Sequence, residues 1–386
     1  MDNPGDDLGI GIVGCGNIST TYFSFAPLFR GLEVRACADV NPEAARTRAA
    51  EFNVRAQTVD DLFANPEVDI VINLTIPDAH GPVTRAALEA GKHVYSEKPL
   101  VLSVEDGLEL KALADAMNLR VGCAPDTFLG GSHQQARKMV DDGAIGAITA
   151  GTAHVMSHGM EHWHPNPDFF FLPGGGPMLD LGPYYIANLV NLIGPVRRVA
   201  ALASSATPTR TILTEGSRRG QTVPVRTPTN IHALLDFASG ATVTVSTSWD
   251  VWAHRHGNME IYGTEGTLFV PDPNFFGGTL EAAGRDGAIT AVDPWDHPLG
   301  VPNQESKAGP RANYRSIGLA DMAAAIHEGR DARCSIERAL HGVEVMTAIL
   351  KSAETGVFVD LVTTCTRPEP FGPADARALL IERVAA

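Results

Sequence analysis

The apolar run Ile10, Ile12 and Val13 is followed by two glycines, Gly14 and Gly16, and no other feature restricts the fold of this chain as much. Such a run fits a strand buried on both faces of a parallel sheet. The segment GIVGCGNIS (11–19) then has the spacing of a turn that holds a pyrophosphate, with Ser19 where a third glycine would stand. The first glycine permits the tight turn and the second lets a phosphate reach the backbone. The third position needs only a small residue, so that the helix packs close to the strand. Amides at the helix N-terminus then face the phosphates. Gly14, Gly16, Asn17 and Ile18 are the expected cradle.

A glycine pair by itself marks many ordinary turns, so the context decides. LEVRACADV (32–40) reads as a second strand that ends at Asp39, about 20 residues past the turn, where an acid takes the ribose hydroxyls of an adenosine. Helical stretches follow, then a strand at 68–75 and a further strand that ends in SEKPL (96–100). Strands alternating with helices predict a parallel, doubly wound sheet. Lys98 would stand at the end of a strand of that sheet, a cation beside the reactive end of a dinucleotide cofactor.

With 386 residues the chain is long for one core, and two domains are the natural division: 1–125 for the dinucleotide and 126–386 for substrate and oligomerisation. From 196 to about 290, alternating segments such as HALLDFAS and ATVTVSTSWDVW predict an antiparallel sheet with one covered face. The expected fold class is α/β: an N-terminal Rossmann domain, then an α+β domain with a large, mostly antiparallel open sheet. The tail 366–386 has no evident place. No apolar run approaches bilayer length, and the acidic start lacks a signal pattern. Five scattered cysteines predict reduced thiols in a cytoplasm. A net charge of −15 argues against nucleic acid as a partner.

Taken in order, these motifs resemble the Gfo/Idh/MocA family (glucose–fructose oxidoreductase, inositol dehydrogenase, rhizopine catabolism). The resemblance rests on the phosphate turn, NLTIPDAH (73–80), SEKPL, GGGPMLDLGPYY (174–185), EIYGTEGTL (260–268) and the closing SIERALHGVEVMTAILKSAETG. It implies a two-domain enzyme that oxidises or reduces a sugar or cyclitol hydroxyl with a nicotinamide cofactor, which Asp39, with no arginine beside it, predicts to be NAD. It also implies a homodimer or homotetramer formed through the open sheet face. By position, Thr75, Ile76, Pro77 and His80 would line the cofactor cleft, and Glu97 and Lys98 would sit near the nicotinamide ribose and the reacting carbon. Asp180 matches the family's active-site aspartate. The inositol dehydrogenases carry histidine four residues later, whereas this chain has Tyr184. An Asp–His dyad is therefore absent and inositol is disfavoured as substrate.

Oxidising a secondary alcohol needs a hydride acceptor and a base for the hydroxyl proton. Asp180 and Tyr184 share one face if the segment is helical, although Gly182 and Pro183 lie between them. An unperturbed tyrosine titrates near ~10, and a cation such as Lys98 favours its phenolate. Tyr184 is the favoured proton-transfer residue, Lys98 the alternative, and Asp180 orients Lys98 or a substrate hydroxyl. His154, His158, His162 and His164 cluster in sequence. No cysteine accompanies them, so no metal is expected; a loop in which His162, Trp163 and His164 meet a hydroxyl-rich ligand fits better. Asp126 and the stretch 249–256 are weaker substrate-side candidates. Net dehydrogenation of a sugar is the leading function. A redox-neutral glycoside hydrolase that oxidises transiently and eliminates is the alternative, and a non-enzymatic sensor is disfavoured by Lys98, Asp180 and Tyr184 occurring together.

Overall fold

The computed structural model describes residues 7–306 and 309–381. The chain forms two compact units, one of Met1–Gly131, Asp296–Leu340 and Pro368–Ala386, the other of Ser132–Trp295 and His341–Arg367. A single cut after residue 125 does not describe this packing, because two later segments return to the first unit.

The first unit is built on six parallel strands, β1 (Leu8–Val13), β2 (Leu32–Ala38), β3 (Arg55–Gln57), β4 (Ile70–Asn73), β5 (His93–Ser96) and β6 (Val121–Cys123), in the order β3-β2-β1-β4-β5-β6. β1 and β4 are almost wholly buried, as central strands covered on both faces must be. Helices Pro42–Phe52, Val59–Ala64 and Val104–Ala116 start where the sequence supplies caps. The side chains of Asn41, Thr58 and Ser103 accept from the amides of Glu43, Asp61 and Asp106. The strand order reverses between β1 and β4, which opens the crevice where such sheets bind ligands. The returning chain extends the β6 edge, with Cys123 N–H donating to the Cys334 carbonyl at 3.0 Å. The tail has a place here: helix Pro373–Leu379 ends at Leu380, which bridges to Phe29.

The second unit carries a nine-stranded sheet. Its two central strands, Ile148–Met156 and Thr242–Ser248, run parallel, and every other pairing is antiparallel. Helix Pro177–Ile193 covers one face, over Ile231, Ala233, Leu235, Val243 and Val245. The alternate residues His232, Leu234 and Leu202 are exposed on the other face, so the period-two pattern is realised as one covered and one open side. Among the described residues no helix is long and apolar enough to cross a membrane.

Candidate active site

At the first turn Gly14 adopts φ +101°, a left-handed conformation, and a Cβ there would lie 2.6 Å from the Leu74 backbone. Glycine is therefore required, since the ends of β1 and β4 touch at this point. Gly16 is the converse: nothing lies within 4 Å of where its Cβ would be. It precedes helix Asn17–Phe25, which has no side-chain cap and no acid in its first turn. An uncapped helix start with no acid in its first turn, next to a glycine open to close approach, suits a pyrophosphate. Ser19 replaces the third glycine by folding its hydroxyl back onto the Gly16 carbonyl, at 2.6 Å, and is fully buried.

Asp39 is fixed at the end of β2. Its carboxylate accepts from Cys15 N–H (2.7 Å) and Asn41 N–H (2.8 Å), which ties it to the phosphate turn. Val40 beside it is 95% exposed, an apolar surface at the sheet edge. Arg46 is paired with Glu43 at 2.7 Å. On the other side of β1, Asn73 accepts from the Thr75 hydroxyl (2.7 Å), Ile76 is exposed and Pro77 opens the next helix. His80 lies deeper than a cleft-lining residue, at 1% exposure, its ring nitrogens 2.6 Å from the Pro99 carbonyl oxygen and 3.0 Å from that of Thr75. It joins the loop after β4 to the loop that carries Lys98.

Glu97 is buried below Lys98. Its Oε1 accepts from the Tyr22 hydroxyl (2.9 Å) and Arg315 Nη1 (3.3 Å), and its Oε2 from the Lys98 amide (3.0 Å). Burial opposes its ionisation, but Arg315, Lys98 and these donors together hold the carboxyl below its ordinary range. Asp126, an expected substrate residue, is 1% exposed and accepts from the amides of Ser316 (3.0 Å) and Gly318 (3.1 Å). It braces the start of helix Ile317–Glu328. Burial pushes it up to about 6. Tyr22 and Arg315 had no signal in the sequence, since Arg315 lies 218 residues from Glu97.

In the second unit Pro177–Ile193 is one continuous helix despite Pro183, so Asp180 and Tyr184 share a face. Gly182 allows the close approach of Met346. The preceding loop is pinned by side chains far away in sequence. Arg218 grips Asp168 with both Nη atoms (2.5 and 2.9 Å), and buried Arg210 binds Glu161 (3.2 Å) and Asp250. A small core of Met160, Phe170, Phe171, Ile212, Val223 and Trp249 lies beneath it. Trp163 and His164 pack on this core, with His164 edge-on to Phe169 and Phe170. His162 faces elsewhere, into a cavity of about 610 Å³ lined also by His158, Leu213, Trp252 and His254. Trp252 stacks on His158 with ring centres 3.2 Å apart, yet remains 81% exposed. His158 Nδ1 is buried without a partner. Of the expected trio, His162 lines this cavity, while Trp163, itself 56% exposed, and His164 lie against the aromatic cluster. His154 stacks on His256 at 4.1 Å, and burial, then the charge of His256, lowers its pKa. No group of three or more His, Cys, Asp or Glu among the described residues is placed to hold a metal ion.

Comparison with known proteins agrees with this geometry. The family model described as "Oxidoreductase family, NAD-binding Rossmann fold" matches residues 8–124, and the one for the "GFO/IDH/MocA C-terminal domain" matches 133–269. A levoglucosan dehydrogenase of Pseudarthrobacter phenanthrenivorans is 28% identical over 68% of this chain and 73% of its own length. An uncharacterized oxidoreductase of Rhizobium meliloti is 28% identical over 84% and 90%. The chain spans about half the length of several other curated relatives that it matches. The crystal structure of a levoglucosan dehydrogenase with NADH and L-sorbose superposes with TM-score 0.77 at 23% identity, covering 93% of this chain and 100% of that one. An aldose–aldose oxidoreductase from Caulobacter crescentus gives 0.75 at 24%, covering 92% and 100%; at such identities these structures establish the fold alone. With a matching family model on each half of the chain, the protein belongs to the Gfo/Idh/MocA family of oxidoreductases.

Proposed function

We propose that this oxidoreductase uses NAD to interconvert a ring hydroxyl and a ketone on a sugar, glycoside or cyclitol, with Lys98, Asp180 and Tyr184 as its acting residues. One observation supports this above the rest: an open glycine cradle at an uncapped helix N-terminus, tied to a fixed acid at the end of β2, in a sheet whose β5 leads directly into Glu97–Lys98. When bound, the nicotinamide supplies the hydride chemistry. The chain's own residues supply the rest. Gly14, Gly16, Asn17 and Ile18 hold the pyrophosphate. Asp39 takes the ribose hydroxyls, and its charge repels a 2′-phosphate, which favours NAD over NADP. Thr75, Ile76 and Pro77 form the other wall. Lys98 stabilises the developing alkoxide, Tyr184 takes or returns the hydroxyl proton, and Asp180 orients Lys98 or a substrate hydroxyl.

The cavity bounded by Trp252, His158, His162 and His254 joins an open aromatic face to imidazole nitrogens, a combination that suits a sugar ring. The relatives named for levoglucosan and for aldoses support that class. The second unit binds substrate and mediates homo-oligomerisation through its open sheet face. Unbridged cysteines fit a reducing cytoplasm. The size of the cavity keeps a second reading in play, a redox-neutral glycoside hydrolase. Free sugars and aryl glycosides, incubated with excess and then with substoichiometric NAD, separate the two. Dehydrogenation accumulates NADH in step with product. Release of aglycone over many turnovers without NADH would install the hydrolase instead.

A further inference from the structure

One guanidinium serves two buried carboxylates, Glu97 and Asp126. Glu97 receives Arg315 directly at 3.3 Å. Asp126 is stabilised in its charged form by the same arginine and by the amides of Ser316 and Gly318. Those amides belong to the turn that carries Arg315. Ser316 adopts φ +88°, unfavourable for a residue with a side chain. Gly318 has no alternative, because a Cβ there would stand 2.3 Å from the Tyr95 hydroxyl and 2.8 Å from the Asp126 Cβ. The turn is therefore held in a strained shape by Asp126, and that shape aims Arg315 at Glu97.

We propose that Arg315 is a positioning residue for Lys98: the turn pinned by Asp126 presents it to Glu97, whose other carboxylate oxygen holds the Lys98 amide. The inference rests on the reading of Lys98 as an acting residue. It gives Asp126, at the end of β6, a role in the site without contact with substrate. It also couples the site to pH. The titratable and charged groups around Asp126 are Tyr22 from the first helix, Tyr95 on β5, Glu97 and Lys98 beyond it, Arg315 before helix Ile317–Glu328 and Cys334 after it. Burial raises Asp126 and Arg315 opposes that rise. Protonating Asp126 weakens its hold on the turn, so kcat/KM should fall on an acidic limb near the value of about 6.

The test uses Arg315→Met, Arg315→Lys, Asp126→Asn and Lys98→Met in the full chain. Readouts are kcat and KM across pH, NADH binding by fluorescence, melting, and the rate at which an amine-acylating reagent labels Lys98, followed by peptide mass spectrometry. Arg315→Met should lower kcat by ~10-fold or more with substrate KM little changed, move the acidic limb to higher pH and alter Lys98 labelling. Arg315→Lys should recover part of each change, and Asp126→Asn should abolish the limb. If Arg315→Met lowers only the melting temperature, with limb and labelling unmoved, Arg315 is merely structural and the inference falls. If Lys98→Met retains normal turnover, the reading of Lys98 itself falls, an outcome distinct from the first.

Discussion

The strand ends of the first unit and the loops of the second, the two regions proposed to meet cofactor and substrate, are built in opposite ways. At the ends of β1 and β2 the backbone does the work. Gly14 is forced by a 2.6 Å approach, Gly16 is left open, and Asp39 is held by two amides, one from the turn itself. In the loop 157–176 side chains do the work, with ion pairs reaching from Glu161 to Arg210 and from Asp168 to Arg218 over a small aromatic core. The first arrangement serves a ligand whose phosphates and ribose never change. The second can change its lining without disturbing a sheet, as a variable substrate requires.

The contrast can be broken or sharpened by substitution. Lys98→Met and Tyr184→Phe should each cut turnover by at least ~100-fold, the usual loss for a general acid–base group. Tyr184→Phe should leave cofactor affinity nearly unchanged. If it turns over normally while Lys98→Met is inactive, the proton role belongs to lysine. Asp39 should enforce a preference for NAD over NADP of about 10-fold or more, because a carboxylate fixed at the end of β2 would repel a 2′-phosphate while Arg46 is paired with Glu43. Equal or tighter binding of NADP by calorimetry would remove this distinction. Trp252→Ala should raise substrate KM by ~5-fold, a loss near that of one stacking face, and leave NADH binding intact. A fall in NADH affinity of the same size would erase the division of labour.

The last effect concerns stability rather than turnover or binding. Asp126 has a folded pKa of about 6, above the ordinary ~3.9, so the folded chain binds its proton more readily than the unfolded one. The stabilisation this proton provides is complete below about pH 4 and is lost as pH rises through about 6. Denaturant midpoints should fall over that window by the equivalent of ~3 kcal/mol, and Asp126→Asn should flatten the slope.

What the sequence shows follows the same contrast. The phosphate turn, Asp39 and the alternation of the second sheet are local patterns, and each is legible because spacing alone determines the backbone. Helix Pro177–Ile193 was legible only in part, since Gly182 and Pro183 suggest a break that packing against Met346 overrides. His80, which the family resemblance would set in the cofactor cleft, and Asp126, a weaker substrate-side candidate just past the domain boundary, are both buried braces. Their roles depend on partners elsewhere in the fold, and for Asp126 those lie 190 and 192 residues away. The tail and the segment 296–340 return to the first unit through contacts such as Phe29 with Leu380, which no local signal announces.

The central claim is that hydride passes between a carbohydrate ring carbon and NAD held by the first unit. The most direct measurement is single turnover of a sugar substrate deuterated at the oxidised carbon, with NAD in excess. The account predicts that NADH forms in step with the ketone, more slowly than with the protiated sugar, and that the deuterium is recovered in the reduced nicotinamide. Product formation with no label in the nicotinamide would contradict it.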